Sequence, residues 1–358
     1  MRIVAAFALA LPVALGATQA AAGTAINTAG QAGAYHASFC PVIIKQLAAA
    51  RFDYECVTSA GTAENMRRVA RDPRQLGYGQ ADVFALENPG LGGADAFIKI
   101  RVDDIRECVF AVARNPEIQS YGEIAVFASK LRFILPPQGS GSAGTFRFLQ
   151  QIDLNGLGRA GSVTYAGTTE EAVRMALSAD DTVALFVQFP DPDNERFKLI
   201  DELGGHVVPV IDRNILRQHV EGQKIYFPQE TQVTSAGWLK SARKVVTACT
   251  PLVLFTGATE KIADEKARLD HRDLIATLRA LKSEEVMAQP GVFTRMWRRT
   301  KEISASSVEK LMQLTDDVRS RAKPLLDQAK EATGKAYEKA KEELRDLTDG
   351  ASPGGPKQ

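Results

Sequence analysis

From Ala25 to about Ala280 short β-rich runs alternate with helical patterns, and each helix follows its strand through a short polar or glycine-containing turn. This alternation restricts the fold more than any other feature, because it is the signature of α/β lobes built on mainly parallel sheets. The expected strands are AINTAG, FDYECVTS, LGYGQ, ECVFAVAR, LRFILPP, SVTYAG, TVALFVQF, KLIDE and VVTACTPLVLF. Between them SFCPVIIKQLAAA, TAENMRRVARD, AGTFRFLQQI and TTEEAVRMALSA read as helices, with Met66, Val69 and Ala70, and Ala172, Met175 and Ala176, at helical spacing. Turns that lead from strand to helix gather at the carboxyl edge of a parallel sheet, which is where open α/β sheets bind ligands.

The chain of 358 residues is more than one core usually organises, which points to two lobes. Its opening, MRIVAAFALALPVALGATQAAAG, has one basic residue, an apolar run from Ile3 to about Leu15 and small residues suited to cleavage near Ala20-Ala21-Ala22, the pattern of a secretory signal peptide. The expected location is therefore periplasmic. Lys and Arg number 44 against 43 Asp and Glu, so the global charge suggests neither nucleic acid nor an anionic membrane as partner.

Cys40, Cys56, Cys108 and Cys249 form no CxxC pair, which gives zinc or thioredoxin chemistry little support. In an exported chain disulfides persist, and four thiols permit three pairings. Nearness in sequence favours Cys40–Cys56, and the apolar strand-like runs around Cys108 and Cys249 favour that second pair. Four unpaired buried thiols are the alternative.

After about Ser283 the strand signal ends. Residues 305–349 are crowded with Glu, Lys, Asp, Arg and Ala, and an apolar line runs through Val308, Leu311, Val318, Ala322, Leu325, Ala329, Ala336, Ala340 and Leu347 at helical spacings. This predicts a long amphipathic helix or helix pair, interrupted near Pro324. Binding a protein partner and packing back on the lobes are both open, and a mostly solvated appendage is the plainer expectation. The last residues, ASPGGPKQ, are expected to be disordered.

The loop PPQGSGSAGTFRFLQQ carries the clearest local chemistry. Gly139 and Gly144 frame four residues as in a phosphate loop, but Thr145 stands where that loop needs lysine, which argues against nucleotide hydrolysis. What remains is a set of free backbone N–H groups and small hydroxyls at a helix start, an arrangement that suits an anion. The bland alternative is a flexible loop capped by Ser142.

One longer stretch, INTAGQAGAYHASFCPVIIKQLAAARFDYECVTSAGTAENMRRVARDPRQLGYGQADVF, resembles the opening of the TAXI family, the TRAP-transporter-associated extracytoplasmic solute receptors. That family begins with a strand, a loop of the form T-G-G-x-G-G-x-Y-Y, a helix, a strand ending in T-x-G-S-x-E-N and a strand with a Q-x-D turn. Thr28, Gly30, Gly33 and Tyr35 match the first loop, Ser59, Gly61, Glu64 and Asn65 the second, and Gln80 with Asp82 the third. PPQGSGSAGT is similar to the family's P-G-S-G-T turn, and TEEAVRMALSADDTVALFVQFPDP to the segment where a strand meets the second-lobe ligand loop. Ala29 and Ala32 replace glycines, Gln31 replaces a small residue and His36 stands at a common second tyrosine. These departures bear on the ligand more than on the fold, and the charged tail has no counterpart in the family pattern.

The resemblance implies an α/β, two-lobed type II periplasmic binding protein fold, here with a long C-terminal amphipathic helical extension. The expected organisation is a signal peptide over 1–22, lobe 1 over 23–105, lobe 2 with hinge strands over 106–245, a return to lobe 1 over 246–282, the helical extension over 283–350 and a tail over 351–358. The implied function is capture of a small carboxylate-bearing solute, an amino acid or a dicarboxylate, for a TRAP-type membrane permease. A periplasmic sensory or scaffold protein that binds a protein partner through the C-terminal helix is the second reading.

The candidate ligand-binding residues are Gly30, Gln31, Gly33, Tyr35 and His36 in the first loop, Ser59, Gly61 and Thr62 in the second, and Gln80 after the third strand. In the second lobe they are Ser140, Gly141, Ser142 and Thr145, with Phe186 and Gln188 at a strand end. Thr62 is also a candidate helix cap, Asp82 is expected to cap the following helix, and Arg147 either adds charge or faces solvent. No cofactor, metal or catalytic residue is expected: His36, His206, His219 and His271 fall in no recognisable triad or metal pattern, and Gly139-Ser140-Gly141-Ser142-Ala143 lacks the final glycine of a nucleophile elbow. A hydrolase using Ser140 or Ser142 is the remaining enzymatic alternative.

Overall fold

The structure, a computed structural model, describes residues 24–191, 193–234, 241–286 and 301–322. The expected signal peptide and the tail beyond residue 322 lie outside the described residues. The chain opens with β1 (Thr24–Asn27), α1 (Cys40–Ala49), β2 (Tyr54–Val57), α2 (Thr62–Arg71), β3 (Leu76–Gln80) and α3 (Ala81–Glu87). β1 pairs in parallel with β2 on one side and β3 on the other. β4 (Phe97–Ala113) then runs for 17 residues out of this lobe and into the second.

There α4 (Tyr121–Phe127), β5 (Arg132–Leu135), α5 (Gly141–Ile152), β6 (Ser162–Tyr165), α6 (Thr169–Ala176), β7 (Thr182–Gln188) and α7 (Glu195–Glu202) repeat the alternation. β5 pairs in parallel with both β6 and β7. All seven residues of β7 are buried, as its continuous apolar run requires of a strand covered on both faces. β8 (His206–Val208) joins the end of β4, α8 (Arg213–Leu216) and the hairpin β9 (His219–Val220) to β10 (Gln223–Lys224) follow, and β11 (Phe227–Gln232) leads to β12 (Lys244–Gly257). β12 runs back antiparallel to β4 and ends beside β3, and α9 (Glu265–Ala280) closes on the first lobe through Leu274, Ile275 and Leu278.

The chain therefore has a two-lobed α/β architecture, its lobes joined by two long strands within one curled sheet of order β2-β1-β3-β12-β4-β7-β5-β6. The crossing point is irregular. Between Pro251 and Leu252 the register on β4 jumps from Arg106 to Asp103, a bulge that lets the pair bend from one lobe into the other. Beside this bend Cys249 and Cys108 face each other in register and are joined as a disulfide. Cys40–Cys56 ties the start of α1 to β2, so both favoured pairings are present.

Two expectations need correction. KLIDE is the end of α7 rather than a strand, because Asn194 accepts a hydrogen bond from Arg196 N and so caps a helix that buries Phe197, Leu199 and Ile200 on one face. The described part of the C-terminal extension is not a solvated appendage. A helix over 305–322 lies on the second lobe, with Val308 buried in its core and Leu311 and Met312 packed beside it. Thr315 donates to Ile211 O at 3.1 Å, and Arg319 meets Asp153 at 2.8 Å and Asp212 at 3.0 Å. Just before it, Lys301–Glu302 pairs with Gln229 and Glu230 of β11.

Candidate functional site

A cleft of about 680 Å³ opens at the carboxyl ends of the parallel strands of both lobes. Lobe 1 contributes the loop from Ala29 to Tyr35, the turn Ala60-Gly61-Thr62 and Gln80. Lobe 2 contributes Ser140, Gly141 and Ser142, the end of β7 at Val187 and Gln188, then Phe189, Asp191, the α7 cap Asn194 and Arg196 in the first turn of α7. Glu107 enters from the crossing strand β4. The structure thus brings together Gly30, Gln31, Gly33, Tyr35, Gly61, Thr62, Gln80, Ser140, Gly141, Ser142 and Gln188 of the sequence candidates.

The helix starts α2 and α5 both open on this cleft, and their loops touch. Gly61 has φ +137°, a conformation that glycine alone adopts readily, and a Cβ there would come within 3.1 Å of Gly141 N. A Cβ on Gly141 would meet Gln80 Oε1 at 2.3 Å. These glycines are needed for the lobes to approach one another. α5 is capped by Ser140, whose side chain accepts from Ala143 N. Ser142 therefore is not the cap; its Oγ accepts from Val187 N at 2.9 Å and holds α5 to the end of β7. Thr62 is not a cap either: Gly61 holds that position, and Thr62 Oγ1 accepts from Gln80 N at 3.1 Å.

Four candidates lie elsewhere. His36 pairs through Nδ1 with Thr28 Oγ1 at 3.1 Å, inside the first loop rather than on the cleft. Ser59 spends its hydroxyl on the turn itself, donating to Thr28 O and accepting from Gly61 N. Phe186 is fully buried against Phe110 and Phe197; two residues before Gln188 on the same face, it lies under the lobe rather than at its edge. Thr145, one helical turn into α5, is also fully buried and donates to Asp82 Oδ2 at 2.6 Å.

Asp82 proves to be a joint between lobes. It sits inside α3, whose cap position is Gln80, and its Oδ2 accepts from both Thr145 and Tyr226, at 2.6 and 2.7 Å. Burial raises its carboxyl above the ordinary range against those hydrogen bonds. Arg147 neither faces solvent alone nor enters the cleft; it pairs with Glu87 across the lobes at 2.8 Å.

The charged lining was not anticipated. Glu107 accepts from the Tyr35 hydroxyl at 2.5 Å and from the Gln80 amide, and burial in the hinge pushes its carboxyl up to about 7. Tyr35 is in turn raised well above its usual value, first by burial and then by the Glu107 charge. On the opposite wall Arg196 donates to Gln188 Oε1 at 2.7 Å and to Glu170 at 2.8 Å. On the cleft lining two buried amide atoms keep no partner among the described residues, Gln80 Oε1 and Gln188 Nε2. Unmet groups of this kind at a cleft await a ligand or water.

The hydrogen bonds of the four histidines run to Thr28 Oγ1, Ile118 O, Arg217 O, and Thr256 Oγ1 with Gly257 O, away from Ser140 and Ser142. Among the described residues no group of three or more His, Cys, Asp or Glu is placed to hold a metal, and no helix is long and apolar enough to cross a membrane.

No protein-family model matches the sequence, and no curated protein matches it. Among solved structures the chain is similar to MatC from Rhodopseudomonas palustris with bound malate, at 12% identity over 84% of this chain and 97% of that one, with a TM-score of 0.43. It is also similar to PhnD1 from Prochlorococcus marinus in complex with methylphosphonate, at 11% identity over 82% and 97% with a TM-score of 0.42. A third is a TctC solute binding protein from Polaromonas, at 12% identity over 85% and 97% with a TM-score of 0.38.

Proposed function

We propose that this chain is an exported solute receptor of the TAXI type, which captures a small carboxylate-bearing solute in the interlobe cleft and presents it to a TRAP-type membrane permease. The observation that carries this reading is the convergence of two helix starts and two unmet buried amide groups on one cleft between hinged lobes. Backbone N–H groups at the starts of α2 and α5, with the Gln188 Nε2 donor, suit a carboxylate through charge-assisted hydrogen bonds. In this reading lobe 1 comprises residues 23–105 and 246–282, lobe 2 residues 106–245, and closure of the lobes on the solute is the whole task, without a reaction.

Thermal unfolding of solute-free protein against a panel of amino acids and dicarboxylates tests it. A rise in Tm that saturates with one of them is the expected result, and no rise with any member overturns the reading. Use of the C-terminal helix as a partner-binding element is not favoured, because over 305–322 its apolar side is spent on the second lobe.

A further inference from the structure

Around the end of β7 and around Glu107 the cleft offers groups of opposite hydrogen-bonding character. On the lobe 2 wall Gln188 and Ser142 keep donors free to bond, while Asp191 adds a carboxylate to the same wall. Arg196 occupies Gln188 Oε1, which fixes the amide so that the unpartnered Nε2 is left to donate. Ser142 Oγ already accepts from Val187 N, which leaves its hydroxyl hydrogen. Arg196 itself is balanced by Glu170.

On the hinge side the free groups are acceptors. Glu107 is held by Tyr35 and Gln80, but these two donors leave lone pairs unused on a carboxylate that accepts about four bonds. Gln80 is 4% exposed, and with its amide hydrogen given to Glu107 its Oε1 is left without a donor. Among the described residues Glu107 has no ion-pair partner, and the charge that acts on it, Asp82, is of like sign.

We propose that Glu107 sorts solutes by charge, so that the cleft takes a zwitterion bearing a protonated amine and a carboxylate in preference to a dianion of the same length. An ammonium supplies the missing counter-charge to Glu107 and has enough N–H groups to reach Gln80 Oε1 as well. A second carboxylate there faces Glu107 directly and leaves Gln80 Oε1 unmet, an arrangement that a buried site discriminates against strongly. The inference rests on the carboxylate-receptor reading above.

The test is isothermal titration calorimetry of the full exported chain with length-matched pairs, 3-aminopropanoate against succinate and 4-aminobutanoate against glutarate, with aspartate against succinate and glutamate against glutarate beside them, at pH 8. The expected result is that the amine-bearing member of at least one pair binds at least about tenfold more tightly, the scale of one hydrogen bond to a charged group. Glu107→Gln keeps the side-chain shape and the Tyr35 contact, and it should narrow or reverse that preference while thermal unfolding confirms a folded protein. Tighter binding of the dianions by the unaltered protein overturns the inference and leaves the receptor reading standing. An unchanged preference in E107Q also overturns it. Binding of no member of any pair removes the receptor reading, and this inference falls with it.

Discussion

Thr145 and Asp82 meet at 2.6 Å across the contact between the two lobes, with both side chains fully buried. Water cannot replace a hydrogen bond lost there. Thr145→Val keeps the shape and removes one of the two hydroxyl donors to Asp82 Oδ2, so it should cost about 1–3 kcal/mol of stability, read from urea unfolding. Asp82→Ala strands the hydroxyls of both Thr145 and Tyr226 and should cost more. Near-neutral results for both would mean that the lobes do not bury this contact in solution.

The hinge disulfide should matter more than the one in lobe 1. Cys108 and Cys249 are separated by 141 residues and Cys40 and Cys56 by 16. Loop-closure entropy then assigns roughly 5 kcal/mol to the first and roughly 3 kcal/mol to the second, because the longer loop restrains the unfolded chain more. The double substitution C108A/C249A should lower the urea midpoint further than C40A/C56A. An equal or smaller loss would show that the entropic account fails for the hinge pair.

What could be read from the sequence depended on how local each signal was. The strand-to-helix turns at Gly61 and Ser140-Gly141 were legible because a glycine or hydroxyl at a helix start has a local cause. Phe186 and Thr145 misled because nearness to a turn does not say how many residues of the strand or helix the cleft still reaches. Glu107 was not legible: within ECVFAVAR it looks like the edge of an apolar strand, and only the crossing of β4 from lobe to lobe carries it to the cleft. An acid beside a cysteine in an otherwise apolar hinge run was the one available hint. Asp191 lies in the segment resembling the family's second-lobe ligand loop, but Arg196 lies beyond it, in the first turn of α7, and is singled out only once its contact with Gln188 is seen.

The raised carboxyl of Glu107 gives a pH dependence with a definite sign. Its value in the folded protein is about 7, against an ordinary 4.5. Between those values the folded chain holds a proton that the unfolded chain has released, so this group's contribution to stability grows as pH falls from about 7 to 4.5 and is lost as pH rises through 7. Asp82, also raised by burial, acts in the same direction. Urea midpoints followed from pH 8 to pH 5 should fall less steeply with rising pH in E107Q than in the unaltered chain. Parallel curves would place the responsible group elsewhere.

Arg319 tests whether the C-terminal helix belongs to the fold. Its guanidinium lies between Asp153 and Asp212, whose side chains are 1% and 2% exposed, and sits 5.8 Å from the centre of the Tyr121 ring. Burial raises Asp212, and Arg319 is the charge that opposes it. Arg319→Met retains the bulk of the side chain but leaves two buried acids without their cation, a change that costs about 3–5 kcal/mol when a buried ion pair is broken from one side. If the cost comes from the uncompensated charge rather than from lost packing, adding Asp212→Asn to Arg319→Met should return part of it. A solvated helix predicts instead that R319M leaves the urea midpoint where it was, and that the second substitution changes nothing further.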